Sequence, residues 1–392
     1  MGIIVLNGMT EVLARAPRYA EIVNVVENSL LDIGAYKLKQ QSRNRIEIAV
    51  NNIVDFDYTN IVSRFNISRI VSFTERYLVH AARLNDHFGL GGNSIESVET
   101  INNKLALRER FDSGRIFFSK VNTNELARLL VEQEPNNKII VKPLNGTGSK
   151  DITLVCCPCA VPEDVVARYS GYDSVLVESY CEGKEFSVES YSWNGKHEIV
   201  AITQKIKNSN FVEIGHISPA EVTDEEKLKL SQHVYELLDQ TDIQEGPCHT
   251  EVILSESGDA TTVESHSRTG GDRIVCITEM TTGVDMIERY FFDLFNLHYP
   301  ESNGTVDFAG SFYPSIPEGY MLNKQLDIPV MSTIYEFDYL VDAGVPVSVP
   351  YSSDSRHYRV LVGAASRSDL KTHLLEIERF VIQRCEKVAL CG

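Results

Sequence analysis

The stretch covering residues 251–268 constrains the fold more than any other part of this chain, because it predicts a hairpin with two facing acids. Two apolar-rich runs flank Ser257-Gly258-Asp259, a composition that favours chain reversal. If the turn is symmetric, Glu251 lies directly opposite Glu264. Facing side chains on an antiparallel pair are about 4.5 to 5.5 Å apart, where like charges destabilise the pair. We therefore expect a positive ion between these two carboxylates.

The residues after Glu264 add to this candidate metal site. Side chains alternate along a strand, so we expect His266 and Arg268 on the same face, as a third ligand and a fixed positive charge. Hard carboxylate oxygens that leave room for phosphate oxygens suit Mg²⁺ bound together with a nucleotide. The alternative is a surface hairpin with two solvated glutamates.

A glycine-containing loop follows an apolar strand in residues 139–150. Lys142 stands at the end of that strand, and Gly146 and Gly148 lie in the loop, where backbone N–H groups can approach phosphate closely. The residue order of a Walker loop is missing, and residues 151–155 predict a second strand rather than a helix. A plain hairpin without a ligand is the alternative.

Residues 175–202 predict an antiparallel meander of three strands, with a strong turn signal at Asn194-Gly195. The backbone beside Glu178, at the end of the first strand, is a candidate for reading adenine. Glu185, at the start of the second strand, is a candidate acceptor for ribose hydroxyls. The alternative is that both glutamates are simply solvated.

Seven segments of the chain occur in an order and spacing typical of one enzyme superfamily. They include N-N-K-L-A-L-R, V-K-P-L-N-G-T-G-S and V-E-S-H-S-R-T-G-G-D. The seven segments cover residues 74–94, 102–108, 141–149, 177–189, 211–220, 249–252 and 263–272. On these segments the chain resembles the ATP-grasp ligases, and within them it is most similar to the L-amino acid ligases that make dipeptides.

The resemblance implies a nucleotide site. Lys104 and Lys142 would hold the ATP phosphates. Glu178 would lie at the adenine and Glu185 at the ribose. The mobile flap that closes over the phosphates would contain Gly146, Gly148 and Ser149.

The resemblance also implies metal and substrate residues. Glu251 and Glu264 would hold Mg²⁺, with Mn²⁺ as a substitute. Arg268, together with Lys142, would supply catalytic charge and stabilise the acyl-phosphate. His266 stands where many ATP-grasp enzymes have Asn, and would bind either metal or a substrate group. The residues near the amino-acid substrate would be Glu213, His216, Arg268, Gly271 and Asp272, of which Asp272 occupies a position that differs between ligases.

The expected fold class is α/β (α+β), an ATP-grasp fold with three parts. Strands alternate with helices in residues 1–95, including a helix-like stretch at 18–33, and this alternation suggests a parallel sheet. We expect the nucleotide-binding ATP-grasp domain at residues 96–300, with a mobile lid at roughly 110–175. A strand-rich C-terminal module with a final helix would occupy residues 301–392.

The charge balance limits the partners of the protein. With 37 Lys and Arg against 55 Asp and Glu, the net charge of −18 argues against nucleic acid and anionic membranes, because both attract basic patches. Neither a signal-peptide pattern nor an apolar run of the roughly 20 residues that cross a bilayer is visible. We expect a cytoplasmic protein that binds small amino-acid-like molecules and forms a homo-oligomer such as a dimer. A carrier protein is an alternative partner.

The expected activity is ATP-dependent carboxylate–amine ligation through an acyl-phosphate, with release of ADP and phosphate. Positioning and charge neutralisation dominate phosphoryl transfer, so this chemistry needs no nucleophilic triad. Three alternatives stay open: a carboxylase that uses bicarbonate, a ligase that loads an amino acid onto a carrier protein, and a nucleotide-binding regulatory protein without activity.

Overall fold

The strands of the protein form four sheets in the part of the chain that the structure describes. This computed structural model describes residues 2–31, 44–112, 114–134, 137–144, 148, 150–156, 163–323 and 331–387. Two of the sheets, a small one and a large one, carry the candidate site between them.

The N-terminal sheet is parallel, as the sequence predicts, with the strand order β3-β2-β1-β4. Its strands are β1 (Gly2–Leu6), β2 (Glu21–Glu27), β3 (Arg45–Val50) and β4 (Ile67–Ser72). The helices in this part are α1 (Thr10–Ala14), α2 (Asn28–Leu31), α3 (Thr59–Arg64) and α4 (Leu78–Phe88).

The helix predicted at residues 18–33 is wrong for most of its length. Residues 21–27 form β2, a central strand with both faces covered, and only Asn28–Leu31 are helical. The apolar run Ile22 to Val26 is fully buried, and such a run cannot be assigned to strand or helix by periodicity alone. Residues 32 and 33 lie outside the described part of the chain.

The small antiparallel sheet, here called the lid sheet, has the strand order β5-β8-β6-β7. Two helices, α5 (Ile95–Asn102) and α6 (Lys104–Leu107), lead into it. Its elements are β5 (Phe118–Asn122), α7 (Leu126–Val131), β6 (Lys138–Pro143), β7 (Thr153–Cys156), α8 (Glu163–Arg168) and β8 (Ser174–Ser179). The strand predicted after the glycine loop is confirmed as β7, which pairs with β6.

The large sheet, here called the central sheet, has the strand order β13-β12-β9-β10-β11-β14-β17-β16, and β15 pairs separately with β18. Its strands begin with β9 (Lys184–Trp193), β10 (Lys196–Lys207), β11 (Glu213–Ser218), β12 (Gly246–Leu254) and β13 (Ala260–His266). The later strands are β14 (Phe308–Phe312), β15 (Tyr320–Leu322), β16 (Ile334–Tyr339), β17 (Tyr358–Ala364) and β18 (Cys385–Lys387). The helices are α9 (Asp224–Gln240), α10 (Ile274–Thr282), α11 (Met286–Leu294) and α12 (Arg367–Ile382).

The predicted three-stranded meander at residues 175–202 is wrong in one respect. β9 and β10 do pair through Asn194-Gly195, whose φ angles of 52° and 69° are those of a tight hairpin turn. β8, however, pairs with β5 and β6 in the lid sheet. Alternation along β8 carries no information about which sheet it joins, since that depends on long-range packing.

The central sheet has one apolar and one polar face, because side chains alternate along each strand. Phe186, Val188 and Val252 are fully buried and pack in one core with residues of α9. Their neighbours Glu185 and Glu251 therefore point to the opposite face, where the candidate site lies. Among the residues that the structure describes, no helix is long and apolar enough to cross a membrane.

Strands from both sides of residue 300 share the central sheet. β14 pairs with β11, and β17 and β16 extend the sheet beyond it. The core around Val360 and Ile377 also includes Ile217 of β11. The boundaries near residues 95 and 300 and the lid limits at about 110 and 175 stay predictions.

Candidate active site

A cavity of about 280 Å³ lies between the lid sheet and the polar face of the central sheet. Most of the residues that the sequence assigns to the site border this cavity. They are Lys104, Lys142, Gly148, Glu178, Glu185, Glu213, Glu251, Glu264, Arg268, Gly271 and Asp272. His216 and His266 are buried close to these residues. Gly146 and Ser149 lie outside the described residues.

Glu251 and Glu264 are register partners, as the hairpin pattern predicts. This pairing depends on a β-bulge, at which the register of the two strands shifts by one residue. Leu254 pairs with Ala260 and Val252 with Thr262, and the register then shifts by one residue before Glu251. In an unbroken register Glu251 would pair with Val263 and not with Glu264. The bulge therefore brings the two carboxylates against each other.

Neighbouring lysines hold both carboxylates in the charged form. Burial by itself raises the pKa of Glu251, but Lys205, with Nζ 2.5 Å from Oε1, contributes most to lowering it to about 2. Burial also opposes ionisation of Glu264, yet Lys104, with Nζ 2.7 Å from Oε2, helps to keep this pKa well below its usual value. Two ionised carboxylates that face each other in a cavity fit Mg²⁺, which prefers hard oxygen ligands.

Lys142 and Glu178 form a buried ion pair at the lid side of the cavity. The distance from Lys142 Nζ to Glu178 Oε1 is 2.5 Å, and Arg108 Nε donates to Oε2 at 3.1 Å. Burial disfavours the charged form of Glu178, but these two cations hold its pKa below the ordinary value. The Glu178 carboxylate therefore anchors Lys142, and residues 179–181 border the cavity beyond it.

Lys205 joins three acidic residues on the polar face of the central sheet. Its Nζ lies 3.1 Å from Glu185, 2.7 Å from Glu213 and 2.5 Å from Glu251. Burial lowers the pKa of this fully buried ammonium, but the carboxylates raise it well above its ordinary value. Glu185 also pairs with Lys207. Lys205 therefore stays charged and binds the proposed ribose, substrate and metal residues into one network.

Three of the substrate residues named from the sequence, Glu213, His216 and Asp272, lie together on one wall. Glu213 and His216 are on β11, a strand whose structure the sequence left open. His216 Nε2 lies 3.4 Å from both Glu213 and Asp272. Asp272 has a left-handed backbone with φ 48°, and both of its oxygens accept from Arg356, at 2.6 and 2.8 Å. Burial alone would raise the pKa of Asp272, but Arg356 and His216 lower it, so this wall is charged.

Arg268 borders the cavity, but not from a strand. β13 ends at His266, so the strand alternation used to predict the direction of Arg268 does not apply. Its Nη2 donates to Glu75 at 2.6 Å, and its Nη1 donates to the carbonyl of Thr269. These two bonds orient the guanidinium at the edge of the cavity.

A comparison with known families agrees with this geometry. Residues 159–279 match the family model of the ATP-grasp domain. Over these residues the chain is similar to the ATP-grasp domain. The match includes β8 to β13 and therefore both proposed metal ligands.

Curated proteins that are similar to this chain are ligases. The chain is 23% identical over 256 residues to the alanine–anticapsin ligase of Bacillus subtilis (strain 168), an alignment that covers 58% of this chain and 54% of that protein. The corresponding ligase of Bacillus amyloliquefaciens is 22% identical over 263 residues, with 59% and 55% covered. The chain spans about half the length of the curated relatives that it matches.

Solved structures share the fold over nearly the whole length of this chain. The L-amino acid ligase from Bacillus licheniformis superposes with a TM-score of 0.75 at 16% identity, covering 99% of this chain and 98% of that one. The N5-carboxyaminoimidazole synthetase from Staphylococcus aureus, solved with ADP, superposes with a TM-score of 0.68 at 12% identity, covering 96% of both chains.

Three basic residues of the candidate site were not predicted from the sequence. Arg108 ends the matching segment 102–108, but nothing local marks it as the partner of Glu178. Lys205 lies outside the matching segments. Its spacing of two residues from Lys207, which places both side chains on the same face of a strand, is the signal that could have identified it. Arg356 is 84 residues from Asp272 in sequence, so only the folded chain pairs them.

Proposed function

We propose that this protein is an ATP-dependent ligase that forms an amide bond between the carboxylate of one amino-acid-like molecule and the amine of another. The observation that carries this proposal is the facing pair Glu251 and Glu264 in a cavity that also holds Lys104, Lys142 and Arg268. This set of charges suits phosphoryl transfer, where positioning and charge neutralisation provide most of the catalysis. The names of the relatives support ligase chemistry.

In the proposed reaction a carboxylate oxygen attacks the γ-phosphorus of ATP, and the bond to the β-phosphate oxygen breaks. ADP leaves and an acyl-phosphate remains. The amine nitrogen then attacks the carbonyl carbon, phosphate leaves, and the amine loses a proton. Lys104 and Lys142 would hold the phosphates, and Arg268 would stabilise the oxyanion of the second step. Bound Mg²⁺ would neutralise the charge on the phosphates.

The binding roles of the other residues belong to the same proposal. Glu185 would accept from the ribose hydroxyls, and the strand end after Glu178 would contact the adenine. Glu213 and the Asp272 wall would contact the amino-acid substrates. We further propose that Mn²⁺ can replace Mg²⁺ and that the protein acts as a homodimer in the cytoplasm, where ATP is available.

The test is phosphate release from ATP and Mg²⁺ by the purified protein with amino acids supplied singly and in pairs. We expect release that depends on a pair, with a product lighter than the sum of the two substrates by one water, found by mass spectrometry. Release with bicarbonate alone would replace the proposal with a carboxylase. Release that requires a carrier protein, or no release under any combination, would also overturn it, the last outcome favouring a regulatory protein.

A further inference from the structure

Beside Glu251 lies a pair of buried residues that has no nucleotide or substrate role described above, one of which, His249, also borders the cavity. Glu189 on β9 and His249 on β12 are cross-strand partners. His249 Nδ1 donates to Glu189 Oε1 at 2.6 Å, and its Nε2 lies 3.3 Å from Glu251 Oε1. We propose that Glu189 and His249 form a positioning pair that holds Glu251 in the orientation required to bind the metal ion.

The contacts place the imidazole between two carboxylates. One ring nitrogen of His249 lies 2.6 Å from Glu189 and the other lies 3.3 Å from Glu251. Glu189, His249 and Glu251 therefore form one buried row of polar groups.

Such a row is costly if it serves the fold alone. Glu189 is fully buried and is not among the residues that line the cavity, so it neither contacts solvent nor reaches the ligand. Taking charges out of water costs several kcal/mol per ion, and apolar residues of similar size often stabilise a fold as well. Hydrogen-bonding partners that orient the ligating side chains are common around metal sites.

The geometry indicates what the pair does to Glu251. The contacts from His249 and Lys205 both fall on Oε1 of Glu251. Two contacts on one oxygen restrict the rotation of the carboxylate. Without His249, only the Lys205 contact of these two would remain on that oxygen.

The carboxylate of Glu264, which faces Glu251, has weaker contacts of the same kind with a histidine. His266 Nε2 lies 3.3 Å from Glu264 Oε1, the same distance as in the first pair. Its Nδ1, however, lies 3.8 Å from Glu75, whose side chain is 35% exposed. Of these two histidines, only His249 contacts a fully buried carboxylate. The positioning role is therefore assigned to Glu189 and His249.

The inference rests on the metal site of the proposed function, and it is tested by metal-dependent ADP binding rather than by product formation. Wild type, Glu189→Gln and His249→Gln are titrated with ADP by calorimetry, without Mg²⁺ and over a series of Mg²⁺ concentrations. We expect both variants to bind ADP without Mg²⁺ as wild type does. The Mg²⁺ concentration that half-saturates the tightening of ADP binding should rise about 10- to 100-fold.

Ser190→Ala is the matched control. Ser190 is the neighbour of Glu189 on β9 and is equally buried, but its side chain points to the other face and contacts the carbonyl of Cys248. This variant should keep the wild-type Mg²⁺ dependence. Thermal unfolding of all four proteins reports their folded state.

The outcomes separate this inference from the proposed function. If Glu189→Gln or His249→Gln lowers the melting temperature but keeps the wild-type Mg²⁺ dependence, the pair is structural only and the inference is wrong. If Mg²⁺ does not change ADP binding by wild type, both the metal site and this inference fail. If the variants behave as expected while no amide product forms from any pair, the inference stands and the proposed reaction falls.

Discussion

At the scale of single residues, Glu264 is the side chain whose removal tests the metal site most directly. We predict that Glu264→Ala abolishes ATP turnover and leaves the fold intact, because it removes a metal ligand from a cavity wall and not from a core. Phosphate release and circular dichroism measure the two effects. Glu256→Ala, in the exposed turn of the same hairpin, is the matched control and should keep full activity. Full turnover by Glu264→Ala would remove the metal assignment.

Arg268 should affect the reaction more than nucleotide binding. We predict that Arg268→Ala lowers the rate of amide formation by about 10²- to 10³-fold, since its charge acts where negative charge develops. The affinity for ADP should change by less than about threefold. Single-turnover product formation and ADP calorimetry separate these effects. Equal losses in both would show that Arg268 belongs to the nucleotide site.

His233 provides a prediction about pH and stability. Burial lowers its pKa to about 3, below the ordinary 6.5, and its Nε2 bonds Thr262 Oγ1 at 2.8 Å. Between these two pH values the unfolded chain takes up a proton that the folded chain does not, so stability falls as the pH drops through 6.5. The loss should be on the order of 2 kcal/mol at pH 5. Urea unfolding at pH 7.5 and pH 5 should show a smaller loss for His233→Gln than for wild type; equal losses would contradict the assignment.

At the scale of elements, the turn between β9 and β10 should contribute to stability and not to the chemistry. Gly195 has φ 69°, a left-handed backbone that costs a residue with a Cβ about 1 to 2 kcal/mol. We predict that Gly195→Ala lowers the free energy of unfolding by about that amount, measured by urea denaturation, with unchanged catalysis. Gly171→Ala is the control, since a Cβ there meets no neighbour within 4 Å. An unchanged Gly195→Ala stability would contradict the turn geometry.

The secondary-structure elements also show which features of the fold can be predicted from neighbouring residues. The hairpin β12–β13, the glycine loop between two strands and the turn at Asn194-Gly195 are all predicted from the sequence, because their signals lie within a few residues. The strand β2 is mistaken for a helix, since an apolar run buried on both faces shows no alternation. The bulge beside Glu251 is also beyond local pattern, although it creates the carboxylate pair.

At the scale of the whole molecule, the continuity of the central sheet limits where the chain can be divided. We predict that a chain ending at residue 300 does not fold, because it lacks β14, β17 and β16 and leaves β11 as an unpaired edge. It also lacks Arg356, the partner of Asp272. Size-exclusion chromatography and circular dichroism of the truncated and full chains measure this. A folded, monomeric product would instead support an independent module after residue 300.

The amino-acid sequence by itself determined the class of the fold, the order of its motifs and nearly all acidic residues of the site. These features follow from neighbouring residues: turn chemistry, side-chain alternation and the spacing of conspicuous motif residues. Glu251, Glu264, Glu178 and Glu185, named from local patterns, border the cavity, and so does Asp272, which the resemblance to known ligases implied.

Only the tertiary structure decided which cation neutralises each of these acids. Arg108 reaches Glu178 across 70 residues, Lys205 reaches Glu251 from another strand, and Arg356 reaches Asp272 across 84 residues. Sheet order and strand partners are set by packing between distant segments, which local propensity does not encode. The sequence therefore predicts the chemical groups of the site, and the fold determines their charge partners.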